Sequence, residues 1–280
     1  MNRWPAIAAA RWQARPRTAW HIDGARVGSV ADADLPALRR WPQWLAHDAR
    51  GLHFTAPAAG RGDALAQMNA RLHADGLIVA WRDETFPLYE PASGAVLTTF
   101  ERAATRFWGT LTRGAHCNGY VAGADGRPAK LWIARRADTK ATDPGKLDNL
   151  VGGGVPHGQT PHETMVREGW EEAGLAPAQM AVARPGRVIH LDRDVVEGRM
   201  VEQVHVFDLE LPNGLTPCNQ DGEVASLTLV SVAQAAEIAA SDAMTVDAAL
   251  VTLDFLLRQR LLPEAEHDDL AARMAPLWAG

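Results

Sequence analysis

The feature that most constrains this chain is a short stretch in which Gly152-Gly153-Gly154 is followed by Pro161 and then by Glu168, Glu171 and Glu172. Proline suits the first turn of a helix and glycine its end, so Pro161 and Gly174 bracket a predicted helix that carries all three acids. At i, i+3 and i+4 their carboxylates crowd onto one face within a single turn. Like charges that close repel. The pattern is stable with a cation among the acids or with the whole face turned to water, and clustered carboxylate oxygens suit Mg²⁺ or Mn²⁺ rather than zinc. The glycines bring a bare backbone that can approach a metal or a phosphate.

Spacing narrows the choice. Gly153, five residues, Gln159, seven residues and then Arg167-Glu168-Gly169-Trp170-Glu171-Glu172-Ala173-Gly174-Leu175 resemble the Nudix box. That box reads glycine, five residues, glutamate, seven residues, then Arg-Glu-aliphatic-any-Glu-Glu-any-Gly-aliphatic. Gln159 replaces its first glutamate with loss of one charge, and Gly169 replaces an aliphatic residue at about 1 kcal/mol of helix propensity relative to alanine. The resemblance implies an α/β fold, an αβα sandwich with a mixed sheet. It also implies hydrolysis of a diphosphate linkage in a small metabolite, with Mg²⁺ (or Mn²⁺) as cofactor. Carried over residue by residue, it places the metal at Glu168, Glu171, Glu172 and the Gly153 carbonyl, with Gln159 and Arg167 in support. Glu168 is the expected base. Glu223, in Asp221-Gly222-Glu223, is the competing base or an extra ligand. Glu163, four residues before Arg167, is its expected i,i+4 partner.

Basic residues should meet the phosphates, and Arg135, Arg136 and Lys140 stand just before the glycine run. The segments Gly114 to Val121 and Trp81-Arg82-Asp83-Glu84 resemble a Nudix subgroup that carries an extra N-terminal domain. Its plant and fungal members are associated with removing a phosphate from damaged thiamine diphosphates. Arg82, His116, Asn118 and Tyr120 are the candidates to read such an organic group, with interdomain packing as the alternative.

Organisation agrees with two units, a smaller α+β unit over residues 1–110 that shapes the substrate pocket and a Nudix unit with a C-terminal helix over 111–280. Periodicity predicts a helix over Arg61 to Leu72, a strand over Leu77 to Trp81 and a helix over Phe100 to Trp108. It also predicts a hairpin turning at Gly123 to Gly126, strands over Val182 to Leu191, Met200 to Leu211 and Val224 to Val232, and a final amphipathic helix over Val246 to Leu262. Cys117 and Cys218 have no CxxC spacing and read as small buried residues in a reducing compartment.

The net charge of −6 opposes bulk attraction to nucleic acid or anionic membrane, and no apolar run reaches a membrane span. Arg11, Arg15 and Arg17 close off the alanine run at the N-terminus, so a cytoplasmic location is expected rather than export. The expected partner is a small diphosphate, with a homodimer left open. Two alternatives stand beside hydrolysis: a Nudix fold that binds a diphosphate without cleaving it, and an isopentenyl-diphosphate isomerase. The second needs an acid/base cysteine in the glycine loop, where this chain has none.

Overall fold

The computed structural model describes residues 3–278. After α1 (Pro5–Ala9), a four-stranded sheet forms from β1 (Arg17–Ile22), β2 (Ala25–Ala31), β3 (Leu45–Asp48) and β4 (Gly51–Phe54), in the order β2-β1-β4-β3. Asp23-Gly24, both at positive φ, makes the tight β1–β2 turn, and α2 (Leu35–Leu38) lies between β2 and β3. Then α3 (Arg61–Ala74) covers this sheet with Leu65, Met68 and Leu72, all fully buried at the predicted helical spacing.

The predicted strand over Leu77 to Trp81 does not form. Gly76 takes a positive φ, and the N–H groups of Leu77 and Ile78 turn back to the Leu72 carbonyl at 2.9 and 3.3 Å. Capping α3 therefore consumes the donors a strand would have needed. Next come the hairpin β5 (Thr85–Tyr89) with β6 (Val96–Glu101) and the short α4 (Ala104–Trp108). Phe100, predicted helical, is thus a strand residue. Trp108 of α4 donates its Nε1–H to Asn69 Oδ1 of α3 at 2.8 Å, which ties α4 to the first core.

The second half is a mixed sheet of β7 (Leu111–Ala122), β8 (Pro128–Arg136), β9 (Leu147–Asp148), β10 (Val151–Gly154), β11 (Arg184–Val195), β12 (Gly198–Glu210) and β13 (Val224–Ser231). Its order is β11-β12-β7-β8-β13, with β10 also paired to β7 and β9 to β8. β12 runs parallel to β7, whereas β10 and β8 run antiparallel to it. On one face lie α5 (Pro161–Ala173) and α6 (Pro177–Met180), and on the other α7 (Val232–Ala239), α8 (Val246–Arg258) and α9 (Glu264–Met274). This is the expected αβα sandwich.

Strand alternation distributes β7 between the two faces. Ala115 and Cys117 join Met165 of α5 in one core cluster, whereas Asn118 and Tyr120 face α8. The predicted amphipathic helix ends at Arg258, and α8 is buried all round from Ala248 to Leu257. Trp4, Ala6 and Ala10, around α1, and Leu270 and Met274 of α9 enclose it. Each leucine so buried contributes about 1.5–3 kcal/mol.

Candidate active site

The carboxylate helix starts and stops where the sequence says it should. Thr160 caps α5 by accepting the Glu163 N–H at 3.2 Å, and Glu163 returns the bond by accepting the Thr160 N–H at 2.8 Å. Glu163 is therefore not the partner expected for Arg167. At the other end Gly174 adopts φ 64° and closes the last turn.

The glycine run is strand β10, at no unusual φ, and its glycines are required by what lies against them. A Cβ on Gly152 would stand 2.8 Å from the His116 ring, one on Gly153 2.3 Å from Glu168 Oε1, and one on Gly154 2.8 Å from the Phe86 ring. The Glu168 carboxylate thus lies flat against Gly153. Glu172, 6% exposed, accepts the Gly152 N–H at 2.8 Å. The loop carrying Glu223 is docked on the C-terminal end of α5 by Cys218 N–H to the Ala173 carbonyl (2.9 Å) and Gln220 N–H to the Glu171 carbonyl (2.8 Å). Glu168, Glu171 and Glu223 consequently border one open cleft with Gly152 and Gly153.

Arg82, Arg102, Arg136 and Lys140 line the same cleft, beside Asp83, Glu84 and Arg167. Arg136 donates to Asp148 Oδ2 (2.9 Å) and to the Thr142 and Asp143 carbonyls, which fixes the connecting loop. Arg102 donates to Glu84 Oε2 at 2.7 Å and lies over the Phe86 ring. Lys140 pairs with Glu223. None of the described residues hydrogen-bonds or ion-pairs the Arg82 guanidinium. Burial, and next the neighbouring Arg102, lower the Arg82 pKa. Burial also lowers that of Lys140, and Arg136 and Arg82 push it the same way.

The donors match a hard divalent ion in kind, being glutamate oxygens beside a glycine carbonyl. They do not yet form a cage: among the described residues no three Asp, Glu, His or Cys side chains are gathered to hold an ion. Arg167 lies between two of them, donating to Glu168 Oε1 at 2.7 Å and to Glu171 Oε2 at 2.6 Å. Glu172 lacks such a partner, and its carboxyl is pushed up to about 8, first by burial and then by Glu168. Burial also raises Glu168, against the pull of Arg167. Buried carboxylates pushed toward the protonated form are under-compensated, and a bound cation would supply the missing charge.

The NUDIX domain model matches residues 113–250, and that of a domain of unknown function, DUF4743, matches residues 6–112. The chain belongs to the Nudix family. It is 39% identical over 219 residues to "Nudix hydrolase 20, chloroplastic" of Arabidopsis thaliana, an alignment covering 76% of this chain and 58% of that protein. An uncharacterized protein of Saccharomyces cerevisiae is 31% identical over 70% of this chain and 61% of its own length. The chain thus spans about three fifths of the length of these relatives. Among solved structures, a protein from Deinococcus radiodurans is 24% identical, with a TM-score of 0.46 over 60% of this chain and 97% of the other.

Both departures from the Nudix pattern have local reasons. A Cβ on Gly169 would stand 2.6 Å from the Met180 side chain, so the glycine lets α6 close onto α5. Gln159 Oε1 accepts from Thr164 Oγ1 (3.0 Å) and Arg167 Nε (3.4 Å), which keeps the supporting role without the charge.

Of the candidates for an organic group, Arg82 and His116 reach a cavity and two do not. His116 borders a second cavity beyond Gly152, with Asp247 and Glu202. Asn118, 2% exposed, donates to Asp208 Oδ1 at 3.1 Å, and Tyr120, 9% exposed, packs on Phe255 and donates to Glu210. Both are core residues under α8, on a face closed to the cleft. Arg135 pairs outside with Asp138. Sequence reasoning missed Arg102, Glu101 and Asp148. Glu101 ends β6 and Arg102 follows it, in a stretch whose periodicity predicts a helix, so their place at the end of a strand had no local signal.

Proposed function

We propose that this chain hydrolyses a diphosphate linkage in a small metabolite with the help of a divalent cation, Mg²⁺ or Mn²⁺. One observation carries the reading: Glu168, Glu171 and Glu223 border one cleft together with Arg82, Arg102, Arg136 and Lys140. Carboxylates hold cations and guanidinium groups hold phosphate oxygens, so this mixed lining suits a metal-diphosphate complex. Glu168, Glu171, Glu172, the Gly153 carbonyl and Glu223 would hold the ion, once Arg167 and Lys140 release the acids they now pair. When bound, it supplies charge neutralisation of the phosphates and a more acidic attacking water.

The chain's own residues do the rest. Arg136 and Lys140 orient the phosphates from the β8 side, and Arg82 and Arg102 do so from the β5–β6 side. Glu168 accepts the proton of the attacking water, its basicity raised by burial, with Glu223 as the alternate acceptor. Gly152 and Gly153 let His116 and Glu168 lie close against the strand at the edge of the cleft.

Thiamine diphosphate or a damaged analogue is the substrate that the subgroup resemblance favours, and residues 1–110 supply the wall that reads its organic part. His116 and the second cavity are the place for that part. The isomerase has no acid/base thiol here: Cys117 faces away into the α5 core, where burial raises its pKa far above the usual range. Cys218 is exposed, contrary to expectation, and lies on the loop behind α5. The plant relative's name carries a chloroplast address, so the family does not fix a compartment. What the described residues show is that no helix is long and apolar enough to cross a membrane. Phosphate release from a diphosphate panel with Mg²⁺ tests the proposal; tight binding without release selects the non-catalytic reading.

A further inference from the structure

We propose that Glu101 is a positioning residue that turns residues 80–84 into a rigid arm and presents Arg82 to the substrate's phosphates, an inference that rests on the diphosphate reading above. The Glu101 carboxylate, at the end of β6, accepts three backbone N–H groups. Oε1 takes those of Arg82 and Ala103, each at 3.1 Å, and Oε2 takes that of Glu84 at 3.2 Å. No helix or strand includes this segment: its far end is tied by the Arg102 N–H to the Glu84 carbonyl at 2.8 Å, and the Arg82 backbone is held by the Glu101 carboxylate.

The segment needs that hold. Ala80 and Asp83 both lie at left-handed φ, 59° and 56°, a conformation that side-chain-bearing residues resist and that persists where the surroundings enforce it. Trp81 is fixed from two sides: its Nε1–H donates to Asp83 Oδ1 at 2.7 Å, and its ring stacks on His73 at 4.7 Å. Trp81 and Asp83 thus anchor the arm. Arg82, between them, has its backbone clamped and its guanidinium unpartnered, on the wall of two adjoining cavities beside Gly152 to Gly154.

The company of Arg82 says what it is for. Arg102, Arg136 and Lys140 border the same cleft. Those three are each paired with a carboxylate, Glu84, Asp148 and Glu223 in turn, which leaves the Arg82 guanidinium as the one of the four without an ion pair among the described residues and open to a phosphate oxygen. A guanidinium offers a planar fork to phosphate oxygens, and a clamped backbone leaves less freedom to lose on binding. Glutamine at 101 offers one acceptor oxygen where three N–H groups use two, and sets an amide N–H₂ against the remaining donor. The arm is then loosened while the cleft keeps its charges.

The test is a double-mutant cycle read by calorimetric binding of inorganic pyrophosphate to the full chain in EDTA, which requires neither turnover nor a metal. Arg82→Ala is expected to weaken binding about tenfold, as for a lost charge-assisted hydrogen bond. Glu101→Gln should weaken it by roughly five- to tenfold. The double variant should match Arg82→Ala within about twofold, because Glu101 acts through Arg82. Wild-type affinity in Glu101→Gln, losses that multiply in the double variant, or no pyrophosphate binding by the wild type would each overturn the inference. Should Glu101→Gln not fold, Asp83→Gly removes the Trp81 anchor at a position where glycine is unstrained. A few-fold loss of affinity at unchanged melting temperature supports the arm, and unchanged affinity refutes it. If the cycle behaves as expected but no diphosphate is cleaved with Mg²⁺, the arm stands and the hydrolase reading falls.

Discussion

Gly153→Ala is the smallest change that strikes the proposed centre, and its effect can be worked from contacts. The new methyl would lie 2.3 Å from Glu168 Oε1, 2.5 Å from Cδ and 2.8 Å from Cγ. Comfortable contact begins near about 3.5 Å, so the carboxylate must retreat by about 1 Å. The strand cannot give way, because Gly153 is paired with Ala115 in the β10–β7 ladder. Glu168 cannot swing without also leaving Arg167, which holds its Oε1 at 2.7 Å. A displacement of about 1 Å in a catalytic group costs roughly 100-fold in rate, about 2.7 kcal/mol of transition-state stabilisation. Stability changes less. Overpacking costs about 1–3 kcal/mol, here near the lower end because the obstacle is the end of a side chain, and alanine recovers about 0.4–1 kcal/mol in unfolded-state entropy. The expected result is a kcat down about 100-fold at saturating Mg²⁺, by phosphate release, with a melting temperature lower by no more than about 4 °C. A kcat within threefold of wild type would show that Glu168 and Gly153 do not form the reacting centre.

Further outcomes follow from the same geometry. Glu172 has a folded-state pKa raised from 4.5 to about 8, so the folded state binds more protons than the unfolded one across that window. In EDTA, this group's contribution to stability therefore falls as pH rises from 4.5 toward 8. Glu172→Gln should flatten that slope in thermal melts while abolishing turnover; an unchanged slope would remove Glu172 as its source. Gln159→Glu should draw Arg167 off Glu168 and Glu171 and reduce the Mg²⁺ concentration needed for half-maximal activity by a few-fold, and no change in the Mg²⁺ titration would contradict this. Thr160→Ala removes the capping box of α5 and should cost about 1 kcal/mol in denaturant unfolding with kcat intact.

Much of this architecture was readable where local chemistry decides it. Pro161, Thr160 and Gly174 bound α5, and Gly123 to Gly126 turns the β7–β8 hairpin, because caps and turns depend on neighbouring residues. What escaped depends on contacts between distant segments. Alternation puts His116, Asn118 and Tyr120 on one side of β7, yet it does not say that α8 seals that side over Asn118 and Tyr120. The glycines of β10 were read as room for a ligand, whereas they first make room for His116, Glu168 and Phe86. Helix α9 was missed because Glu264, Glu266, Asp268 and Asp269 mask the two residues, Leu270 and Met274, that bury it. Of the basic residues expected to meet phosphates, Arg136 and Lys140 line the cleft while Arg135 pairs outside it with Asp138, and Arg82, expected to read the organic group, lines the same cleft through the hold of Glu101 on its backbone.

The glutamates of α5 and the cations that share their cleft stand or fall together as one hydrolytic centre. Phosphate release with Mg²⁺ should be measured for the wild type and Glu171→Gln across thiamine diphosphate, its oxidised analogues, ADP-ribose, NADH and nucleoside triphosphates. The expected result is Mg²⁺-dependent release from at least one of these by the wild type, with loss of at least 100-fold in Glu171→Gln at unchanged melting temperature. Equal turnover by the two proteins, or release that survives EDTA, would contradict it.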